Sequence, residues 1–104
     1  MKDIKMYHLP SGKCPFEDWI LKQSKDSKGR IFSYIDRVIS GGSRRNIKSI
    51  GGGVFEIKID YGPGFRVYFG EKENVIILLL IGGTKASQNS DITKAKKYWR
   101  NSNV

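Results

Sequence analysis

Three side chains frame the chemistry: Lys58, Arg66 and Tyr68. They sit in two alternating runs, Val-Phe-Glu-Ile-Lys-Ile-Asp (residues 54–60) and Phe-Arg-Val-Tyr-Phe (residues 65–69). Between the runs lies a Gly-Pro-Gly turn, where Pro63 fixes φ at one corner and Gly64 supplies a positive φ at the next. This is a β-hairpin pattern. Side chains on a strand alternate with a period of two. Phe55, Ile57 and Ile59 therefore share an apolar wall with Phe65, Val67 and Phe69. Glu56, Lys58, Asp60, Arg66 and Tyr68 fall on the polar face behind it. An Arg grips phosphate bidentately and a Lys adds a point charge, while an aromatic ring can stack on a base. Each residue also has a plainer reading. Arg66 can pair across the strands with Glu56 or Asp60, Lys58 can be solvated, and Tyr68 can be a half-buried sheet tyrosine.

Composition bounds the partners. The 104 residues hold 19 Lys and Arg against 10 Asp and Glu, a formal charge of +9, which favours association with polyanions. Nucleic acid, an acidic protein and an anionic membrane surface are all compatible with it. A charged fraction of 28% beside 38% hydrophobic residues predicts a folded chain, read as one domain over residues 1–104. The longest apolar run, residues 75–81, is far shorter than the ~20 residues a membrane helix needs. The N-terminus lacks a signal-peptide core, and the single Cys14 cannot form an internal disulfide, which points to a reducing, cytoplasmic setting. With one Cys and one His, a four-ligand Cys/His zinc site is ruled out.

The positioning elements follow in order. Residues 4–9 read as a short strand stopped by Pro10-Ser11-Gly12, with His8 an ordinary partly exposed side chain rather than a catalytic histidine, since no Ser/Cys–acid set surrounds it in sequence. Pro15 opens a helix carrying Phe16, Trp19 and Ile20, with Glu17 and Asp18 in its first turn. Gly29 marks a break or a tight bend between helices, after which Ile31, Ile35, Val38 and Ile39 trace a second helical stripe ended by Gly41-Gly42. Trp19 and Phe32 are core residues on this pattern rather than base-stacking rings. Arg44, Arg45 and Lys48 stand in a basic connection that is either a solvated loop or a nucleic-acid contact. Gly51, Gly52 and Gly53 make a turn or bulge, since no P-loop Gly-Lys-Ser/Thr follows. Residues 71–74 form a polar turn into residues 75–81, an unalternating run expected of an inner strand buried on both faces. A last helix, capped by Ser87 or Ser90, bears the stripe Ile92, Ala95, Trp99 and the cations Lys94, Lys96, Lys97 and Arg100. The order β-α-α-β-β-β-α predicts an α+β fold: two N-terminal-half helices packed on a mostly antiparallel sheet, with a C-terminal helix.

Two segments resemble known signatures. Gly-Gly-Gly-Val-Phe-Glu-Ile-Lys-Ile-Asp-Tyr-Gly-Pro-Gly-Phe-Arg-Val-Tyr-Phe is similar to the hairpin of RelE/ParE-superfamily toxins, in the HigB-like addiction module killer protein branch. Leu-Leu-Leu-Ile-Gly-Gly-Thr-Lys-Ala-Ser-Gln-Asn-Ser-Asp-Ile resembles that branch's second signature, with Thr84 where Asp is commoner. Lys58 stands where the first signature usually has Arg. The resemblance spans roughly residues 4–100 and implies a RelE-like fold, a type II toxin–antitoxin origin and a small antitoxin partner, acidic or helix-turn-helix. It also implies metal-independent endoribonuclease action on mRNA at the ribosome, without a cofactor. Superfamily members that poison DNA gyrase, and a non-toxic nucleic-acid-binding relative, are the alternatives.

Cutting RNA without metal needs a base for the 2′-hydroxyl, positive charge on the phosphorane and an acid for the 5′-oxygen. On this reading Arg66, Lys58, Lys85 and Asp91 are the catalytic candidates. Asp91 orients Lys85 or Lys94, acts as a base, or serves as a helix N-terminal carboxylate. Lys48, Tyr68, Arg44, Arg45, Lys94 and Lys97 are the RNA-binding candidates, with Lys94 and Lys97 reserved for ribosomal RNA or antitoxin.

Overall fold

The alternating runs fold as the hairpin they predict. A computed structural model describes residues 2–73 and 76–104, so the end of the turn at residues 71–74 and the first residue of the inner run lie outside the described residues. The elements are β1 (Asp3–Met6), α1 (Pro15–Ile20), α2 (Lys25–Ile39), β2 (Ile47–Gly51), β3 (Val54–Ile59), β4 (Phe65–Lys72), β5 (Ile76–Gly83), a 3₁₀ turn (Lys85–Ser87) and α3 (Gln88–Arg100). One five-stranded sheet has the order β1-β5-β4-β3-β2. The pair β1–β5 is parallel and the other three pairs are antiparallel. β5 is an inner strand, as its unalternating run requires. The α+β architecture agrees with a RelE-like fold.

β2 is a strand the alternation does not announce. Its two isoleucines serve different cores, Ile47 on the α2 side and Ile50 on the α3 side, so no one-sided stripe forms. Gly51, Gly52 and Gly53 all take positive φ and turn β2 back into β3. The first strand is also shorter than expected, ending at Met6.

Both faces of the sheet are covered. Phe16 and Ile20 of α1 and Ile31, Ile35 and Val38 of α2 pack on the wall formed by Ile57, Ile59, Phe65, Val67 and Phe69. On the opposite face, Ala95, with Ile92, Tyr98 and Trp99, packs on Val54, Tyr68, Leu78 and Leu80. The expected wet polar face is thus roofed in part by α3. Each roof is drawn close by a tryptophan lying over a glycine. A Cβ added at Gly82 would come 2.1 Å from Trp19 Cε3, and one at Gly70 would come 2.0 Å from Trp99 Cε3.

Gly29 does not break a helix. α2 runs through it, starting after Ser24, whose hydroxyl accepts from the Ser27 N–H at 3.1 Å. That cap and the burial of Ile31, Ile35 and Val38 outweigh the ~1 kcal/mol a helical glycine costs. A Cβ at Gly29 would meet nothing within 4 Å. Gly29→Ala should therefore stabilise the protein by about 0.5–1 kcal/mol, visible as a Tm rise of a few degrees.

Candidate functional site

The sheet register lays the chemistry out in two rows on the α3 side. Lys48 of β2 pairs with Glu56 of β3, which pairs with Tyr68 of β4. In the next row Lys58 pairs with Arg66, and Arg66 with Gly83 of β5. Directly paired residues in an antiparallel ladder share a face. Beside the start of α3, over the Lys48 and Lys58 ends of β2 and β3, lies a cleft of ≈ 450 Å³. Four cations, Arg45, Lys48, Lys58 and Arg66, line it, with Glu56 and Asp60 as its carboxylates and Asn46 and Gln88 as its amides.

Arg66 is only 6% exposed. Its Nη1 donates to the Gly64 carbonyl at 2.8 Å, which ties the guanidinium to the hairpin turn. Its Nε lies 3.9 Å from Glu56 Oε2 and is buried without a hydrogen-bond partner. A buried charged donor left unmatched is costly, and the neighbouring Glu56 carboxylate offsets that cost only through the 3.9 Å contact. The plainer expectation, an Arg66–Glu56 cross-strand contact, is present in this loose form.

Glu56 is the most constrained acid in the cleft. The Tyr68 hydroxyl donates to its Oε2 at 3.0 Å and Gln88 Nε2 donates to the same oxygen at 2.9 Å. Tyr68 itself is 0% exposed, so its ring cannot stack on a base as the sequence suggested. The reason is the α3 roof, which seals that part of the face. Burial, and next the neighbouring Glu56 charge, push the Tyr68 phenol up from its ordinary 10.0. The native state then keeps a proton that the unfolded chain loses, so this contribution is present below pH 10 and is lost as pH rises above it. Between pH 9 and 11, stability should fall by about 1 kcal/mol more in the wild type than in Tyr68→Phe, measured by urea unfolding.

The remaining sequence candidates scatter. Asp91 is buried; it accepts from Ser87 Oγ at 2.5 Å and lies so close to Gly83 that a Cβ there would be 1.8 Å from its Oδ2. It makes no ion pair with Lys85 or Lys94 among the described residues, so its geometry is that of a carboxylate in the first turn of α3. Lys85 is exposed on the 3₁₀ turn, its Cβ beside Gly64 but outside the cleft lining. Arg44 is drawn away to Glu71 at 3.3 Å, and its guanidinium lies over the Phe55 ring. Lys94 lines a separate groove with Trp19 and Tyr98, and Lys97 another with His8. Neither Ser87 nor Ser90 caps α3 through its side chain; Ser87 Oγ instead accepts from the Thr84 N–H at 3.1 Å. Among the described residues, no helix is long and apolar enough to cross a membrane.

Gln88 and Glu56 were not singled out in the sequence as site residues. Glu56 was legible, since it shares a face with Lys58 and Arg66. Gln88 carried no signal, because its reach to Glu56 depends on how α3 docks.

Residues 18–100 match the family described as "Phage derived protein Gp49-like (DUF891)". A Haemophilus influenzae protein described as "Uncharacterized protein" is 39% identical over 82 residues, covering 78% of this chain and 82% of that one.

Proposed function

Since this chain belongs to the Gp49-like family of phage-derived proteins, a RelE/HigB-like toxin–antitoxin family, we propose that it is a HigB-like toxin that arrests translation as a metal-independent, ribosome-dependent mRNA endoribonuclease. Its partner is a cognate antitoxin, a small helix-turn-helix protein, and its place of action is the cytoplasm. The observation that carries the reading is the cleft that Arg66, Lys58, Lys48 and Arg45 line together with Glu56.

Those groups supply the three needs of RNA cleavage. Glu56 takes the proton of the 2′-hydroxyl, and the freed oxygen attacks the adjacent phosphorus. Arg66, which lines the cleft, neutralises the charge that grows on the phosphorane. Lys58, paired with Arg66 across the hairpin, is exposed and positioned to protonate the departing 5′-oxygen. The products are a 2′,3′-cyclic phosphate and a free 5′-hydroxyl. Lys48 and Arg45 hold neighbouring phosphates, and Lys85 extends the cationic track past the hairpin turn. Lys94 and Lys97 face ribosomal RNA or the antitoxin.

Brief induction in a bacterial host, followed by mapping of mRNA 5′ ends, tests the proposal. New 5′-hydroxyl ends inside coding regions within minutes are expected. Intact mRNA together with double-strand breaks trapped by gyrase on supercoiled DNA would overturn it in favour of a ParE-like poison.

A further inference from the structure

Glu56 offers its two oxygens unequally. Tyr68 from β4 and Gln88 from the first residue of α3 both donate to Oε2, at 3.0 and 2.9 Å, and Arg66 Nε approaches that same oxygen. No donor among the described residues reaches Oε1, and Glu56 lines the cleft. The terminal torsion of a glutamate is broad and close to two-fold, so one donor leaves the carboxylate free to rock. Two donors from different elements converging on one oxygen fix its plane. Tyr68 cannot move, being wholly buried in the sheet. Gln88 is half-buried at the cleft edge and supplies the second point of the clamp.

We infer that Gln88 is a positioning residue for RNA cleavage: it holds Glu56 Oε2 so that Oε1 faces the cleft and receives the 2′-hydroxyl proton. This rests on the endoribonuclease reading above. It assigns a role in the chemistry to the start of α3, whose other contacts here are structural.

Two measurements test it. The first is independent of activity. The chain has four glutamates, so protein labelled with ¹³C at the glutamate carboxyl gives few signals, and Glu56→Gln identifies the one from Glu56. Gln88→Leu should move the Glu56 signal at neutral pH and leave the other three in place, and Tyr68→Phe should move it too. The second is single-turnover cleavage of mRNA on programmed ribosomes. Gln88→Leu should lower the saturating rate by roughly tenfold to a hundredfold, with the half-saturating concentration changed less than about twofold, because a misaimed base loses rate and not binding. An unmoved Glu56 signal overturns the clamp outright. A moved signal with an unchanged saturating rate overturns its catalytic role. A loss of rate that only tracks a lowered melting temperature makes Gln88 a structural residue and also overturns it. If the wild type cuts no mRNA, the endoribonuclease reading fails and the catalytic role with it, while the carboxyl signal still decides whether the clamp exists.

Discussion

Arg66→Lys should lower mRNA cleavage by about 10²–10³-fold while the protein stays folded, the size of effect expected when one preorganised donor to a developing oxyanion is lost. Lysine keeps the charge but not the fork. The guanidinium reaches two places at once: Nη1 is anchored on the Gly64 carbonyl at 2.8 Å, while Nε points unmatched beside Glu56. An ammonium can serve one of these, not both. Lysine is preferable to alanine for the test because removing the charge would leave Glu56 buried beside Tyr68 and Gln88 without its nearest cation. Cleavage on ribosomes, alongside a thermal melt, measures the effect. A variant that cuts within threefold of wild type would remove Arg66 from the reaction.

Gly70→Ala should cost about 3 kcal/mol or more, lowering Tm by upwards of 10 °C, because the added methyl has no space to enter. Its Cβ would come 2.0 Å from Trp99 Cε3 and 2.2 Å from Cζ3. The indole must leave the sheet, and α3 is held to the sheet partly through it. Trp99→Leu should therefore shrink the penalty, and a double-mutant cycle reads the coupling directly. An equal cost of Gly70→Ala in both backgrounds would mean that the strand, not the indole, resents the methyl. Gly82→Ala, against Trp19 on the other face, should behave the same way.

The hairpin was readable from sequence because both of its strands keep strict alternation against one wall, from Phe55 to Ile59 and from Phe65 to Phe69. β5 was readable for the opposite reason, since an unbroken apolar run belongs inside a sheet. β2 was not, because Ile47 and Ile50 belong to two cores. Gly29 misled because intrinsic propensity is a weak prior beside three buried side chains and a serine cap. That Lys48 of β2, Lys58 of β3 and Arg66 of β4 share one cleft was legible in the sequence for the two hairpin residues, which alternate onto the same face. The fate of Tyr68 and Asp91 was not, since both depend on which face α3 roofs, and periodicity names the apolar stripe of a helix without naming its partner. Gln88 and Glu56 lie 32 residues apart, and only the docked helix makes them neighbours.

The parallel pairing of β1 with β5 has a consequence for how the chain comes into being. Asp3 finds its partner in Ile76, and Lys2 bonds with Glu71. A chain made from its N-terminus carries β1 and both early helices long before the strand that β1 joins exists. α3, which brings Gln88 to the cleft, comes later still. A nascent chain therefore holds Lys58 and Arg66 without the helix that completes their pocket. The cleft is complete only once α3 has been made, and a product truncated before it carries the cations of β2, β3 and β4 without Gln88.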